Sequence, residues 1–409
     1  MTKEQFDKYI NNIIEKSTLN ITKEHLEKGI FNFGNTFRIE KLIEKIINKE
    51  EITICSFGGS ITRGASHHLA PKEEYGLSCN FEPKRYHDVV CDFLEEIFGC
   101  KITRVNAGIG ATDSVLATHR IDEDVLKYNP DLVINEWCCN DSKEIPFKQG
   151  TYESVVRKLI DNGCAFILYS FGEKDGTSSQ ILHEPISRHY DAPHLSYRDA
   201  FISLNEYQYL SNDRVHPNTT GHTLAGLLII YYIGKVILEN THSEKDFEKN
   251  ITPFCEDSTS YDGARVIRFK DIYDEKIEGM KITSMGSFEI DKEVSTFAYR
   301  EYYGFSADYK EKYEPLVIEV DSMKTLFFQI FRSNQSKDTS FYAEINGEKV
   351  EKPTFTCQHG NDNRQIEFSY HWATERAVKF DKVQKATIKI YPTNKNKEKC
   401  VKLFALLIS

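Results

Sequence analysis

From residue 51 onward, runs of consecutive apolar residues alternate with segments in which apolar residues recur every three or four positions. The runs Ile52–Phe57, Ile102–Ala107, Leu132–Cys138 and Ala165–Phe171 have the length of buried strands. Between them, Val89, Val90, Phe93, Leu94 and Ile97, then Val115, Leu116, Ile121 and Val125, then Val155, Val156, Leu159 and Ile160 repeat with a helical period. Strands that alternate with helices and lack a polar face predict a parallel sheet covered on both sides. Such a sheet takes its ligands outside the carboxyl ends of its strands, so those ends are where chemistry is expected. Ahead of this region, Phe6, Ile10, Ile13 and Ile14, and later Leu42, Ile43, Ile46 and Ile47, predict amphipathic helices. Their Glu and Lys residues are mixed, which favours packing on the protein's own core over a membrane surface.

The texture changes near residue 240. After an apolar helix, Thr223–Leu238, comes a polar stretch, Glu239–Asn250, and then short strand-like segments: Val266–Phe269, Leu316–Val320, Leu326–Phe331, Phe341–Ile345, Ile366–Tyr370, Ala386–Tyr391 and Val401–Leu407. Asn346-Gly347 is a strong hairpin signal. This half reads as an antiparallel β-sandwich. The expected organisation is a helical extension over 1–50, an α/β domain over 51–245 and a sandwich over 246–409.

Composition supports this division, since 409 residues are too many for one ordinary core and 40% apolar residues suffice for two. A net charge of −10 opposes sequence-independent attraction to nucleic acid or to an anionic membrane. No run reaches the ~20 apolar residues that cross a bilayer, the best, Leu224–Leu238, being broken by glycines and a lysine. The N-terminus lacks the basic and apolar regions of a secretory signal, so the expected location is the cytoplasm. Ten cysteines with no C-x-x-C and no zinc spacing predict reduced thiols, with no metal and no cofactor.

Four features stand at the strand ends. The first strand closes in Gly58-Gly59-Ser60-Ile61-Thr62, where glycines let the backbone turn and bring a hydroxyl into the open, although a serine there can equally cap a helix. After the next strand, Asn106-Ala107-Gly108-Ile109-Gly110-Ala111-Thr112-Asp113 lacks the Lys-Ser/Thr ending of a P-loop. It needs only one free N–H to serve an oxyanion. Asn140-Asp141 ends the strand Leu132–Cys138, where an Asn can also simply cap the following helix. Finally, Asp213 and His216, three apart on a turn, can set a carboxylate on one imidazole nitrogen while the other faces outward.

Together and in this order, these features resemble the SGNH, or GDSL-like, hydrolase family over roughly residues 30–240. The resemblance implies a flavodoxin-like α/β/α sandwich with Ser60 as nucleophile, His216 as base and Asp213 as its partner. It also implies an oxyanion hole from the N–H groups of Ser60 and Gly110 and the side chain of Asn140, with Ala111 as the alternative to Gly110. One departure is Cys138-Cys139 before Asn140, where the family's pattern has a glycine. The motifs Gly-Gly-Ser-Ile-Thr and Asp-x-x-His-Pro-Asn-x-x-Gly-His look like the branch associated with carbohydrate O-acetyl esterases, some of which carry a β-sandwich after the catalytic domain.

The resemblance therefore implies a serine esterase acting on an acetylated carbohydrate, with mannan-type substrates among the candidates. The alternatives are an acyltransferase using the same acyl-enzyme and an inactive carbohydrate-binding protein. His67, with its neighbour His68, and Trp137 are candidates to line the sugar site. The last 159 residues hold 24 of the 50 aromatics. Among these, Tyr299, Tyr302, Tyr303 and Trp372 are candidate stacking residues, and the acidic residues there leave a structural calcium open.

Overall fold

The computed structural model describes all residues except 1, 143–144, 146, 240–241, 292–293, 296–299, 302–303, 334–338, 351–353, 358–368, 396 and 398–399. The chain divides into two compact units: Met1–Ser258 apart from Thr118–Arg120, and Thr259–Ser409 with those three residues.

The first unit opens with α1 (Lys3–Ser17), α2 (Lys23–Lys28), β1 (Ile30–Asn32) and α3 (Phe37–Ile47). There follow β2 (Glu51–Gly58), α4 (Ser60–Arg63), α5 (Tyr86–Phe98), β3 (Lys101–Gly108), α6 (Ser114–Asp124), β4 (Leu132–Glu136) and α7 (Phe147–Asn162). It closes with β5 (Ala165–Ser170), α8 (Gln180–His189), β6 (His194–Ser196), α9 (Tyr197–Phe201) and α10 (Thr219–Glu239). The sheet order is β1-β6-β5-β4-β2-β3, with β1 antiparallel at the edge and the rest parallel. Counted among themselves, the parallel strands run 2-1-3-4-5, the flavodoxin-like order, whose switch point lies between β2 and β4.

Alternate strand residues feed two cores. Ile52, Ile54, Leu132, Ile134, Ala165 and Ile167 pack under α3, α5 and α10, while Phe57, Val133, Phe166 and Leu168 pack under α6 and α7. Helix α10 is long and apolar enough to cross a membrane, yet 83% of its most apolar stretch is buried in the protein. It is a core helix, and Gly234 leaves room there for the ring of Phe6 on α1.

Three features differ from expectation. The first 50 residues contain, besides the two helices, a third helix and the edge strand β1. Residues 246–258, expected to begin the second domain, pack on the first unit. Asp246 pairs with Arg38 Nε at 2.6 Å, Phe247 enters the core beneath α7, and the N–H groups of Phe254 and Cys255 bond the Glu153 carboxylate. In the second unit, Leu316–Val320 and Leu326–Phe331 belong to one strand, Leu316–Ser333, broken by register shifts around Met323. Its first half pairs with Met280–Ser284 and its second with Val401–Ile408, while Val378–Pro392 runs beside both. Such shifts bend a strand so that it serves both layers of an antiparallel sandwich. The layers enclose one core that includes Ile318, Phe328, Phe341, Ile388 and Leu406.

Candidate active site

The site stands at the switch point, where β2 and β4 end side by side. At the end of β2 the two glycines do not adopt positive φ, so their purpose is space rather than an unusual turn. A Cβ on Gly58 would lie 2.1 Å from Thr62 Oγ1 and 2.6 Å from the Glu136 carbonyl oxygen. A Cβ on Gly59 would lie 2.5 Å from Asn140 Oδ1. The missing side chains thus let the turn holding Ser60 sit directly against the end of β4.

Ser60 Oγ lies 2.8 Å from His216 Nε2, and His216 Nδ1 lies 2.7 Å from Asp213 Oδ2. The other Asp213 oxygen accepts the N–H groups of Val215 and His216, both at 2.7 Å. Partial burial favours the neutral acid, but the His216 side chain and these N–H groups outweigh it and hold the Asp213 carboxyl down at about 2. Asp213 is therefore an anion at any pH at which an esterase would be assayed, and it fixes His216 with Nε2 aimed at the serine. The rest of the Asp-x-x-His-Pro-Asn-x-x-Gly-His motif closes this turn. Ser211 bridges to Pro217, and the Asn218 amide donates to the Tyr209 carbonyl and to Asn212 Oδ1. His222, fully buried, accepts the Tyr86 N–H on Nδ1 at 3.3 Å.

Asn140 is half-buried in the turn after β4, its N–H bonded to the Trp137 carbonyl at 3.0 Å and its side chain beside Gly59. Gly110 and Ala111 form the turn after β3, Ala111 in the left-handed region at φ 58, and neither N–H has a partner among the described residues. Ser60, Asn140, Asp213 and His216 are thus brought to the ends of three segments that border one strand junction. The bulk of Cys138 turns inward. Its sulfur meets Ser170 Oγ at 2.9 Å and His183 Nδ1 at 3.1 Å, and His183 Nε2 meets Asp141 at 2.9 Å. This Cys-His-Asp line is sealed from solvent and braces the turn from behind.

Other candidates are placed differently. Trp137 is no sugar platform: it is fully buried, edge-on to Phe57, with its indole N–H on Asn135 Oδ1 at 2.8 Å, because β4 runs through the middle of the sheet. His67 is half-buried, with Nδ1 2.5 Å from the Gly64 carbonyl oxygen, and His68 is exposed. Tyr299, Tyr302, Tyr303 and the Trp372 side chain lie outside the described residues. Among the described residues, no group of three or more His, Cys, Asp or Glu side chains is placed to hold a metal ion.

Two charged residues at the site have no counterpart in the sequence reading. Glu136, the last residue of β4, is buried beneath the serine turn and accepts Thr62 Oγ1 at 3.0 Å, while its other oxygen has no partner among the described residues. Burial drives its carboxyl up, against opposing bonds from Thr62 and the Gly59 N–H, to about 7. The other is Lys148, taken up below. A carboxylate inside an apolar strand was a usable signal for Glu136, whereas nothing marks Lys148. Beside Asp213 opens a cleft of about 440 Å³ lined by Lys174, Asp175, Gln208, Asn212, Asp213 and Arg214, a polar lining suited to hydroxyl-rich ligands.

No family model matches the chain, and no curated protein matches it. Among solved structures, a two-domain esterase (CEX) active on acetylated mannans aligns with 94% of this chain and 98% of its own at 22% identity, with a TM-score of 0.73. The two chains share a fold. The same esterase co-crystallized with mannopentaose aligns with the same coverage and identity at a TM-score of 0.72.

Proposed function

We propose that the protein is a serine esterase that removes O-acetyl groups from a carbohydrate. The observation that carries the reading is the unbroken line from Ser60 Oγ through His216 to the ionised Asp213. Serine needs such a base to attack an ester carbonyl. His216 takes the Ser60 proton as the acyl bond forms and returns it to the departing sugar oxygen. Water then gives up a proton to the same nitrogen and adds to the acetyl carbonyl; the bond to Ser60 Oγ breaks, His216 returns the proton to that oxygen, and acetate departs. The N–H of Ser60, that of Gly110 or Ala111, and the Asn140 amide are the donors for the tetrahedral oxyanion. The polar cleft beside Asp213 and the fold shared with an esterase active on acetylated mannans support a carbohydrate as the leaving group.

The test is a panel of acetylated manno- and xylo-oligosaccharides, followed by mass spectrometry for loss of acetyl groups, with no acceptor sugar present. Free acetate from at least one of them is expected, and Ser60→Ala should abolish it. Cleavage of p-nitrophenyl acetate without cleavage of any sugar ester would remove the carbohydrate from the reading. Inactivity on both would remove the esterase.

A further inference from the structure

Lys148 stands second in α7 and is 4% exposed. Its Nζ donates to Asp113 Oδ2 at 2.8 Å and to the Asn140 carbonyl oxygen at 3.2 Å. Asp113 ends the loop that contains Gly110 and Ala111, and its other oxygen caps α6 by accepting the Val115 N–H at 3.1 Å. One buried ammonium therefore touches both segments that offer oxyanion donors besides Ser60.

Stability alone gives no reason for a lysine here. Removing an ammonium from water is costly, and exchanging a buried ion pair for apolar groups is often neutral or stabilising. The first turn of a helix also repels a cation through the aligned peptide dipoles. Burial works against the charge, yet the Asp113 and Asp141 carboxylates outweigh it and keep Lys148 protonated. What the arrangement does supply is a fixed distance. The residue after Asn140 is tied to the same region, since Asp141 accepts the Ser114 N–H at 3.0 Å and the Ser114 hydroxyl at 2.9 Å. Among the described residues, Lys148 alone bonds the backbone of Asn140 itself to the end of the neighbouring loop.

We propose that Lys148 is a positioning residue of the oxyanion site, holding the 109–113 loop and the Asn140 turn at one separation so that donors from both meet the same oxygen. The inference rests on the esterase reading and adds a residue to it. Hydrolysis of p-nitrophenyl acetate that Ser60→Ala abolishes establishes that reading first, and without it both fall together.

Lys148→Met is then compared with wild type on the native and Asn140→Ala backgrounds. Misplacing a donor by a fraction of an ångström should lower kcat about 10- to 100-fold with KM within about 3-fold. On the Asn140→Ala background the loss should be clearly smaller, because only the donor of the 109–113 loop is left for Lys148 to position. Equal losses on the two backgrounds, or a loss confined to KM, would overturn the proposal. If Lys148→Met does not fold, Asp113→Asn keeps an oxygen for the helix cap while removing one charge of the pair. Its kcat should fall about 5-fold, and by less on the Asn140→Ala background. A lowered urea midpoint with wild-type kcat would make the pair structural only and end the proposal.

Discussion

Alanine at Gly59 or at Gly58 adds the same single carbon one residue apart, and the two should fail in different ways. At Gly59 the new Cβ would stand 2.5 Å from Asn140 Oδ1, whereas ordinary contact begins at 3.4 Å, so the Asn140 side chain must withdraw by about 0.9 Å. Its next neighbours, Asn140 Cγ and the Thr112 carbonyl oxygen, are already at 3.4 Å and need not move. The end of one side chain can shift cheaply, so the urea midpoint should change little. A displacement near 1 Å at a reacting centre costs about 100-fold, and complete loss of an oxyanion donor costs about 10² to 10³ in kcat. Gly59→Ala is therefore expected to lose about two orders of magnitude in kcat on p-nitrophenyl acetate with KM nearly unchanged. At Gly58 the obstacles are Thr62 Oγ1 at 2.1 Å and the Glu136 carbonyl oxygen at 2.6 Å. The second is backbone in a central strand, so Gly58→Ala should cost stability, about 1–3 kcal/mol by overpacking. A folded Gly59→Ala enzyme with kcat within about 3-fold of wild type would refute the placement of Asn140 at the oxyanion.

Ser60→Ala and His216→Ala should each lower kcat by about 10⁶ without unfolding the protein, since triad members act as a unit. A folded Ser60→Ala enzyme retaining a tenth of wild-type activity would move the nucleophile elsewhere. Stability should fall on acidification. Burial lowers His87 to about 4 and His194 and His222 to about 3, so they stay neutral in the folded chain while the unfolded chain takes up protons near 6.5. Their contribution is complete above pH 6.5 and is lost below it at about 4 kcal/mol per pH unit for the three. Glu136, raised to about 7 from 4.5, returns about 1.4 kcal/mol per unit between those values. Urea midpoints measured from pH 7 to 4.5 should therefore drop steeply, and a flat profile would mean that the histidines are charged in the folded state.

The parallel sheet was legible because its central strands are largely buried on both faces and read as predominantly apolar runs. The site residues were legible because each pairing depends on a short stretch: Asp213 reaches His216 within one turn, and Asn140 follows directly on its strand. Strands β1 and β6 left no signal. Each has three residues, and β6 buries His194 and Ser196 by giving them partners in Ser170 and Gln180, which hydrophobic periodicity cannot register. Trp137 misled because an aromatic next to a strand-end motif looks like a ligand platform. Yet Leu132–Cys138 is buried throughout, so the ring belongs to the layer beneath. The bend near Met323 split one strand into two apparent ones, since a register shift interrupts the alternation. Lys148 carries no local mark, because its burial comes from Asp113 and Asn140, more than thirty and about eight residues away in the chain.

The charges around Ser60 differ in how burial treats them, and the differences serve the same end. Asp213 is half exposed and keeps its anion on the far side of His216 from Ser60, where in the proposed reaction it would favour the imidazolium formed as the serine proton leaves. Glu136 lies behind the serine turn, where an anion would oppose the charge growing on the ester oxygen. Complete burial raises its carboxyl to about 7, which keeps much of it neutral at and below that pH. Lys148, also buried, remains a cation through two carboxylates and bonds the Asn140 carbonyl oxygen. Each carboxylate close to Lys148 cancels charge that would otherwise spread through the interior. On the proposed reading the oxyanion meets fixed N–H and amide dipoles, which need no reorganisation as the charge develops. Those dipoles must then stay where the folded chain holds them, and the buried Lys148 bears on this through its bond to the Asn140 carbonyl oxygen.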